Sequence, residues 1–150
     1  MELKIPPPLV ALVSAGIMWL VSEGMAFATL ETVWRGPLSL GMLGIGLVVE
    51  LFAVFLFLKA RTTVNPLKPH NSEQLVVEGI YRFTRNPMYL GTLLLLSSWA
   101  VWLGNLINIA VLAFFIWYVT RFQIIPEERV LRALFTDRYE DYCSRVRRWL

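Results

Sequence analysis

Four long apolar blocks interrupt the polar segments of this chain: Leu9 to Leu30, Leu38 to Leu58, Met88 to Leu103 and Leu106 to Ile125. A hydrocarbon core about 30 Å thick takes about 20 helical residues, at about 1.5 Å of rise each. The first, second and fourth blocks reach that length unaided. The third falls a little short unless Tyr81 to Pro87 or the Gly104-Asn105 turn extends it. After the fourth block the pattern changes. Val130, Leu131, Leu134, Phe135, Tyr139, Tyr142, Cys143, Val146 and Trp149 recur at helical spacing, with arginines on the other faces. The pattern predicts an all-α integral membrane protein with a single domain over 1–150. Its four transmembrane helices cover about 9–30, 38–58, 88–103 and 106–125. A cytoplasmic amphipathic C-terminal helix over about 127–148 follows, with Trp149 and the terminal arginines as interfacial anchors.

Composition agrees with a membrane class: 57% of the residues are hydrophobic and 17% charged, too apolar for an ordinary soluble domain. The distribution of the net +3 charge says more than its size. Lys59, Arg61, Lys68, Arg82 and Arg85 lie between the second and third blocks, and Arg121, Arg129, Arg132, Arg138, Arg145, Arg147 and Arg148 edge or follow the fourth. Arg35 stands alone between the first two, and the turn between the last two is uncharged. The positive-inside rule then places both termini and the middle loop in the cytoplasm, with the protein integral to the cell (inner) membrane. Each basic cluster abuts a span, so membrane lipid headgroups rather than nucleic acid are the expected partners. Lys4 and Ala26-Phe27-Ala28 imitate a secretory leader, but the apolar region exceeds the roughly 7–15 residues of one. Cys143 is the single cysteine and makes no intrachain disulfide.

Punctuation refines the picture. Pro6-Pro7-Pro8 sets the start of the first helix, and Gly41, Gly44 and Gly46 in the second offer close helix packing in lipid. Lys59 to Pro87 is the longest polar stretch, and Leu75-Val76-Val77, Tyr81 and Phe83 give it apolar anchors that predict order. Gly104-Asn105 predicts a tight turn between the third and fourth blocks. Pro126 marks a place for a helix to start anew, with Glu127 and Glu128 in its first turn where carboxylates complement the helix dipole.

Motifs of soluble enzymes are absent. No strand, Gly-rich turn and helix unit for a nucleotide occurs, no zinc-ligand spacing, and no nucleophile triad, since histidine and cysteine occur once each. His70 reads as a solvated loop residue, and no metal is expected. Glu23 and Glu50 fall within apolar blocks. A carboxylate there is costly unless paired, protonated or facing a wet cavity, so each is either functional or bonded to a neighbouring helix through Ser14, Ser22, Thr92 or Ser97.

Two polar segments carry the most specific signal. "LVVEGIYRFTRNPMYLG" (75–91) and "PEERVLRALFTDRYEDYCSRVRRWL" (126–150) closely resemble the two signature regions of the isoprenylcysteine carboxyl methyltransferase and phospholipid methyltransferase superfamily, prokaryotic type. The first pattern is L-V-x-x-G-x-Y-x-x-x-R-(H or N)-P-x-Y-x-G. The second is E-E-x-x-L-x-x-x-F-x-x-x-Y-x-x-Y-x-x-x-V-x-R, and every fixed position of both is filled. Arg61 to Pro66 also resembles the stretch before the first signature. The likeness covers about 50–150.

The resemblance implies S-adenosylmethionine as methyl donor, leaving S-adenosylhomocysteine, without a nucleotide-binding sheet. Carried over by position, Leu75, Val76, Tyr81, Asn86, Pro87, Met88 and Tyr89 line the cofactor and Glu127 holds its ammonium. Arg85 suits its carboxylate, and tyrosine faces suit a sulfonium. Arg85, Arg121 and Glu128 are expected to align a lipophilic or amphipathic acceptor arriving laterally from lipid. Asn86 stands where the eukaryotic prenylcysteine branch has histidine, and Gln123 where that branch has a substrate-contacting arginine, so a carboxylate and an amine both remain open as acceptor. A membrane reductase using NADPH and a non-catalytic scaffold or transporter subunit are the alternatives from other classes.

Overall fold

The computed structural model describes residues 5–25, 28–29, 32–59 and 75–150. Arg61 to Pro66, His70, the expected order of the loop over 60–74 and the Ala26-Phe27 pair lie outside the described residues. Helices account for nearly all of the regular structure described: α1 Pro7–Gly24, α2 Arg35–Lys59, a 3-10 turn Gly79–Arg82, α3 Pro87–Leu103, α4 Asn108–Val119, a π-helical turn Thr120–Ile124 and α5 Ile125–Arg145. Proline in the first turn starts both α1 and α3, where its missing N–H would have had no helical partner. Gly104 closes α3 at φ 69°, donating its N–H to the Ala100 carbonyl, and turns the chain into α4.

The expected four spans with a separate cytoplasmic amphipathic helix are not what the chain forms. Among the described residues, three helices are long and apolar enough to cross a membrane: Pro7–Gly24, Arg35–Lys59 and the continuous run Asn108–Arg145. α3, at 17 residues, is a shorter apolar helix packed along α2. The helix expected over 127–148 is mostly the continuation of the run from Asn108, which is itself of membrane-spanning length. Pro126 fails to restart the helix because the backbone has already widened before it. The Ile125 N–H bonds the Thr120 carbonyl, five residues back, so the donor that proline lacks falls at a turn already wound to the wider pattern.

The apolar side of α5 faces protein instead of lipid. Tyr139, Tyr142 and Val146 bury together against Leu75, Leu131, Phe135 and Cys143. This is possible because Thr136 leaves helical geometry (φ 39°, ψ −118°) and bends the chain back. In a straight helix, Glu128 and Arg148, 20 residues apart, would stand about 30 Å apart. Instead Arg148 Nη2 donates to Glu128 Oε2 at 2.8 Å. Trp149, expected as an interfacial anchor, donates its indole N–H to Thr120 Oγ1 at 3.2 Å and packs on the bundle core around Phe115, Val119 and Ile124.

Polar bonds fix both ends of the bundle. At one end Gln123 Nε2 donates to the Ile5 carbonyl at 2.7 Å, joining the start of α1 to the π-helical turn. At the other, Asn105 Nδ2 donates to the Met25 carbonyl at 2.9 Å. Between them Trp99 Nε1 reaches the Ala15 carbonyl at 3.1 Å and Ser98 Oγ the Ser39 carbonyl at 2.8 Å. Such bonds hold helices together where lipid supplies no hydrophobic drive. Glu23, placed by the sequence deep in a span, lies exposed in the last turn of α1.

Close packing of α2 on α3 depends on two glycines. Gly46 meets Leu94, Leu95 and the Gly91 carbonyl, whereas Gly41 and Gly44 face open space. A Cβ on Gly91 would stand 2.8 Å from Glu50 Cβ and 3.0 Å from Glu50 N. Backbone cannot yield cheaply, so Gly91→Ala is expected to lower stability by about 1–3 kcal/mol, read as a fall in the detergent unfolding temperature. Gly44→Ala should leave that temperature unchanged.

Candidate functional site

A cavity of ≈ 670 Å³ occupies the end of the bundle where α1 and α3 begin. Its wall includes Leu75, Val76, Tyr81, Asn86, Pro87, Met88, Tyr89 and Glu127, together with Arg85 and Glu128. The sequence placed all of these at or beside a cofactor. Arg121 does not line the cavity; it is exposed, with its guanidinium 5.7 Å from the centre of the Phe122 ring.

The 3-10 turn delivers Tyr81. Gly79, at φ 59°, passes so near α2 that a Cβ would lie 2.7 Å from Leu56 Cδ1. Tyr81 then meets Phe57 edge to face at 5.3 Å between centroids, and Tyr142 donates its hydroxyl to the Tyr81 carbonyl at 2.6 Å. Burial pushes the Tyr81 hydroxyl above the ordinary tyrosine range, so it stays protonated as a donor.

Pro87 begins α3, which brings Tyr89 inward within its first turn. The Tyr89 hydroxyl donates to Glu127 Oε1 at 2.7 Å, a bond that sets the direction of the carboxyl group. Glu128 faces two guanidiniums. Arg148 grips it through Nε at 3.0 Å and Nη2 at 2.8 Å, and Arg85 Nη1 stands 3.3 Å from Oε1. The Glu128 hydrogen bond holds the Arg148 guanidinium above its ordinary pKa. Arg85 Nη1 also donates to Cys143 Sγ.

The C-terminal residues lie across the start of α3 as a cover. Arg85 N–H donates to the Arg147 carbonyl at 3.0 Å, and Asn86 Nδ2 and Thr84 Oγ1 donate to the Arg148 carbonyl at 2.9 and 3.3 Å. Two donors on the cavity wall are left over. The Tyr81 hydroxyl and Arg85 Nε are buried and without a hydrogen-bond partner among the described residues. Buried polar groups are almost always satisfied, so such a pair points to a ligand or ordered water. No group of metal-ligating side chains occurs among the described residues.

The rest of the cavity was less legible. Pro7, Pro8, Ala11, Leu12 and Ala15 of α1 and Trp99 of α3 also form its wall, and no sequence signal marks them. Tyr139, Tyr142 and Arg148 are fixed positions of the second signature and could have been assigned to the site on that ground. Glu50, singled out for its setting in an apolar block, faces the cavity from α2. α1 packs on α3 and α4, and α2 packs on α3. Leu12, which lines the cavity from α1, is 70% exposed, so the cavity is open on that side.

A profile of the phospholipid methyltransferase family matches residues 34–138. An "uncharacterized protein" of Haemophilus influenzae is 44% identical over 63 residues, covering 42% of this chain and 100% of that one. A "probable protein-S-isoprenylcysteine O-methyltransferase" of Oryza sativa subsp. indica is 28% identical over 127 residues, 84% of this chain and 66% of its own length. The "protein-S-isoprenylcysteine O-methyltransferase" of Schizosaccharomyces pombe is 27% identical over 140 residues, 85% of this chain and 59% of its own. The chain thus spans about three fifths to two thirds of these named methyltransferases. No solved structure matches it.

Proposed function

Because the chain belongs to the phospholipid methyltransferase family, we propose that this integral, multi-pass membrane protein transfers a methyl group from S-adenosylmethionine to a lipophilic acceptor in the cavity at the end of the bundle. The observation that carries the reading is the pairing of Tyr89 with Glu127 beside two unpartnered donors, Tyr81 and Arg85.

The residues present fit the donor molecule, which has an ammonium, a carboxylate, an adenine and a sulfonium. Glu127 offers the ammonium an anion whose orientation Tyr89 fixes. Arg85 Nε is free to donate to the carboxylate, and Leu75, Val76 and Met88 give the adenine apolar walls. When bound, S-adenosylmethionine supplies an electrophilic methyl carbon. The protein's task is then alignment and exclusion of water. The cover made by Arg147 and Arg148 over 84–86 serves the exclusion, and the side of the cavity at the exposed Leu12 admits an acceptor from lipid. The basic residues around the site support a cytoplasmic position for this end of the bundle under the positive-inside rule.

NADPH fits less well. Its phosphates call for several cations, and Arg85 is the one cation on the wall among the described residues. Thermal unfolding in detergent separates the two. S-adenosylhomocysteine at about 100 times its Kd is expected to stabilise by about 2.7 kcal/mol, a rise of roughly 5–10 °C, with no effect of NADPH. Stabilisation by NADPH alone would replace this reading with a reductase.

A further inference from the structure

Resting on that reading, we propose that residues 137–150 form a lid, hinged at Thr136 and latched by Arg148 on Glu128, and that the methyl donor passes between water and the cavity only when this lid lifts.

The wall of the cavity shows which way a polar molecule comes. Among its described residues the exposed ones are Pro8 and Leu12, both of α1 and both apolar. A charged, hydrated donor molecule would have to shed its water to pass that side, at a heavy penalty. The polar end, where Tyr81, Tyr89 and Glu128 stand, is buried. The C-terminal segment helps to bury it. Tyr139 and Tyr142 form part of the wall from the inside, while Asp137, Arg138, Glu140, Asp141 and Arg145 of the same segment are exposed. Lifting this one segment therefore joins the polar end of the cavity to water.

The segment has a hinge at one end and a latch at the other. Its attachment to the rest of α5 is Thr136, an exposed residue at φ 39° and ψ −118°, outside the conformations that a β-branched side chain favours. Strain at this residue works against closure, since a lifted segment frees it to return to an ordinary negative φ. The bonds that oppose the strain lie near the far end. Arg148 grips Glu128 through Nε and Nη2, its carbonyl accepts from Asn86 Nδ2 and Thr84 Oγ1, and Trp149 Nε1 donates to Thr120 Oγ1. Such bonds are exchanged for bonds to water at modest net cost. Glu128 keeps Arg85 Nη1 at 3.3 Å when Arg148 lets go, so the buried carboxylate is not left without a cation.

The latch is separate from the ligand. Neither Arg148 nor Trp149 lines the cavity, so their bonds are made whether the site is empty or full. Loosening them raises the open fraction alike in both states. Association and dissociation then quicken together, and their ratio, Kd, holds.

The test measures association and dissociation of tritiated S-adenosylhomocysteine with the detergent-purified full chain. Arg148→Lys, which turns a bidentate fork into a point charge, is expected to raise both rate constants by about 10-fold. Trp149→Phe, which removes the bond to Thr120, should raise both by about threefold. Kd should stay within about twofold of wild type in each. Thr136→Gly takes up the positive φ without strain and should slow both steps. Wild-type rate constants in Arg148→Lys and Trp149→Phe, a higher Kd through faster dissociation alone, or exchange in Thr136→Gly at or above the wild-type rate would each overturn the lid. Failure of the folded wild type to bind S-adenosylhomocysteine at all would instead remove the methyltransferase reading on which the lid rests.

Discussion

Glu127→Gln is expected to weaken S-adenosylhomocysteine binding by at least about 30-fold, read by calorimetry on the detergent-purified protein. Removing one member of a buried charge pair costs about 2–5 kcal/mol, which is about 30-fold to several thousand-fold in Kd. The substitution keeps the shape of the side chain and its bond from Tyr89, so what is lost is the charge proposed to face the ligand's ammonium. Tyr89→Phe makes a graded comparison. It removes the 2.7 Å bond to Glu127 Oε1 but leaves the carboxylate in place. An unsatisfied acceptor costs about 1–3 kcal/mol, so that variant should fall less far, by about 5- to 150-fold. A Glu127→Gln protein that binds within threefold of wild type would remove Glu127 from the cofactor site.

Glu128→Ala acts on the cover instead of the ligand. The Glu128 carboxylate is the anchor for Arg148 at 3.0 and 2.8 Å and for Arg85 at 3.3 Å, with its own side chain 4% exposed and that of Arg85 11%. Without it, Arg85 is left as a buried cation lacking its carboxylate, a loss of about 3–5 kcal/mol. The residues after Thr136 lose the tie that holds them over the start of α3. Amide exchange across 137–150 is therefore expected to rise toward that of a frayed end, and the unfolding temperature to drop. Arg148→Lys, with Glu128 kept, should loosen the same segment, because a bidentate fork becomes a point charge. Unchanged protection of 137–150 in Glu128→Ala would show that the tyrosine cluster alone holds the cover.

The positions of the apolar helices were legible because partition into lipid is a property of long windows, and α2 and α3 begin and end within a few residues of the blocks read from the chain. The continuity of the last helix was not. Proline at 126 is a sound stop signal locally, and only the wider turn at 120–124 lets the helix run through it. Nor could the bend be seen: Thr136 adopts a positive φ that a β-branched residue takes up only when its surroundings hold it there. That bend decides the environment of Tyr139 and Tyr142, buried in the protein where helical periodicity alone put them on lipid. For the site, the two signatures named Tyr89 and Glu127, and the chain brings them to hydrogen-bonding distance across 38 residues. The level of Glu50 had no such marker. It follows from Gly91, whose missing side chain lets α2 approach.

Photo-cross-linking of labelled S-adenosylmethionine to the folded protein, with the modified peptides sequenced, tests the location of the cofactor most directly. The label should fall within 75–89 and 127–131, be competed by S-adenosylhomocysteine, and be lost in Glu127→Gln. Competed label confined to other segments would place the methyl donor outside this cavity and contradict the assignment of Tyr81, Tyr89 and Glu127 to it.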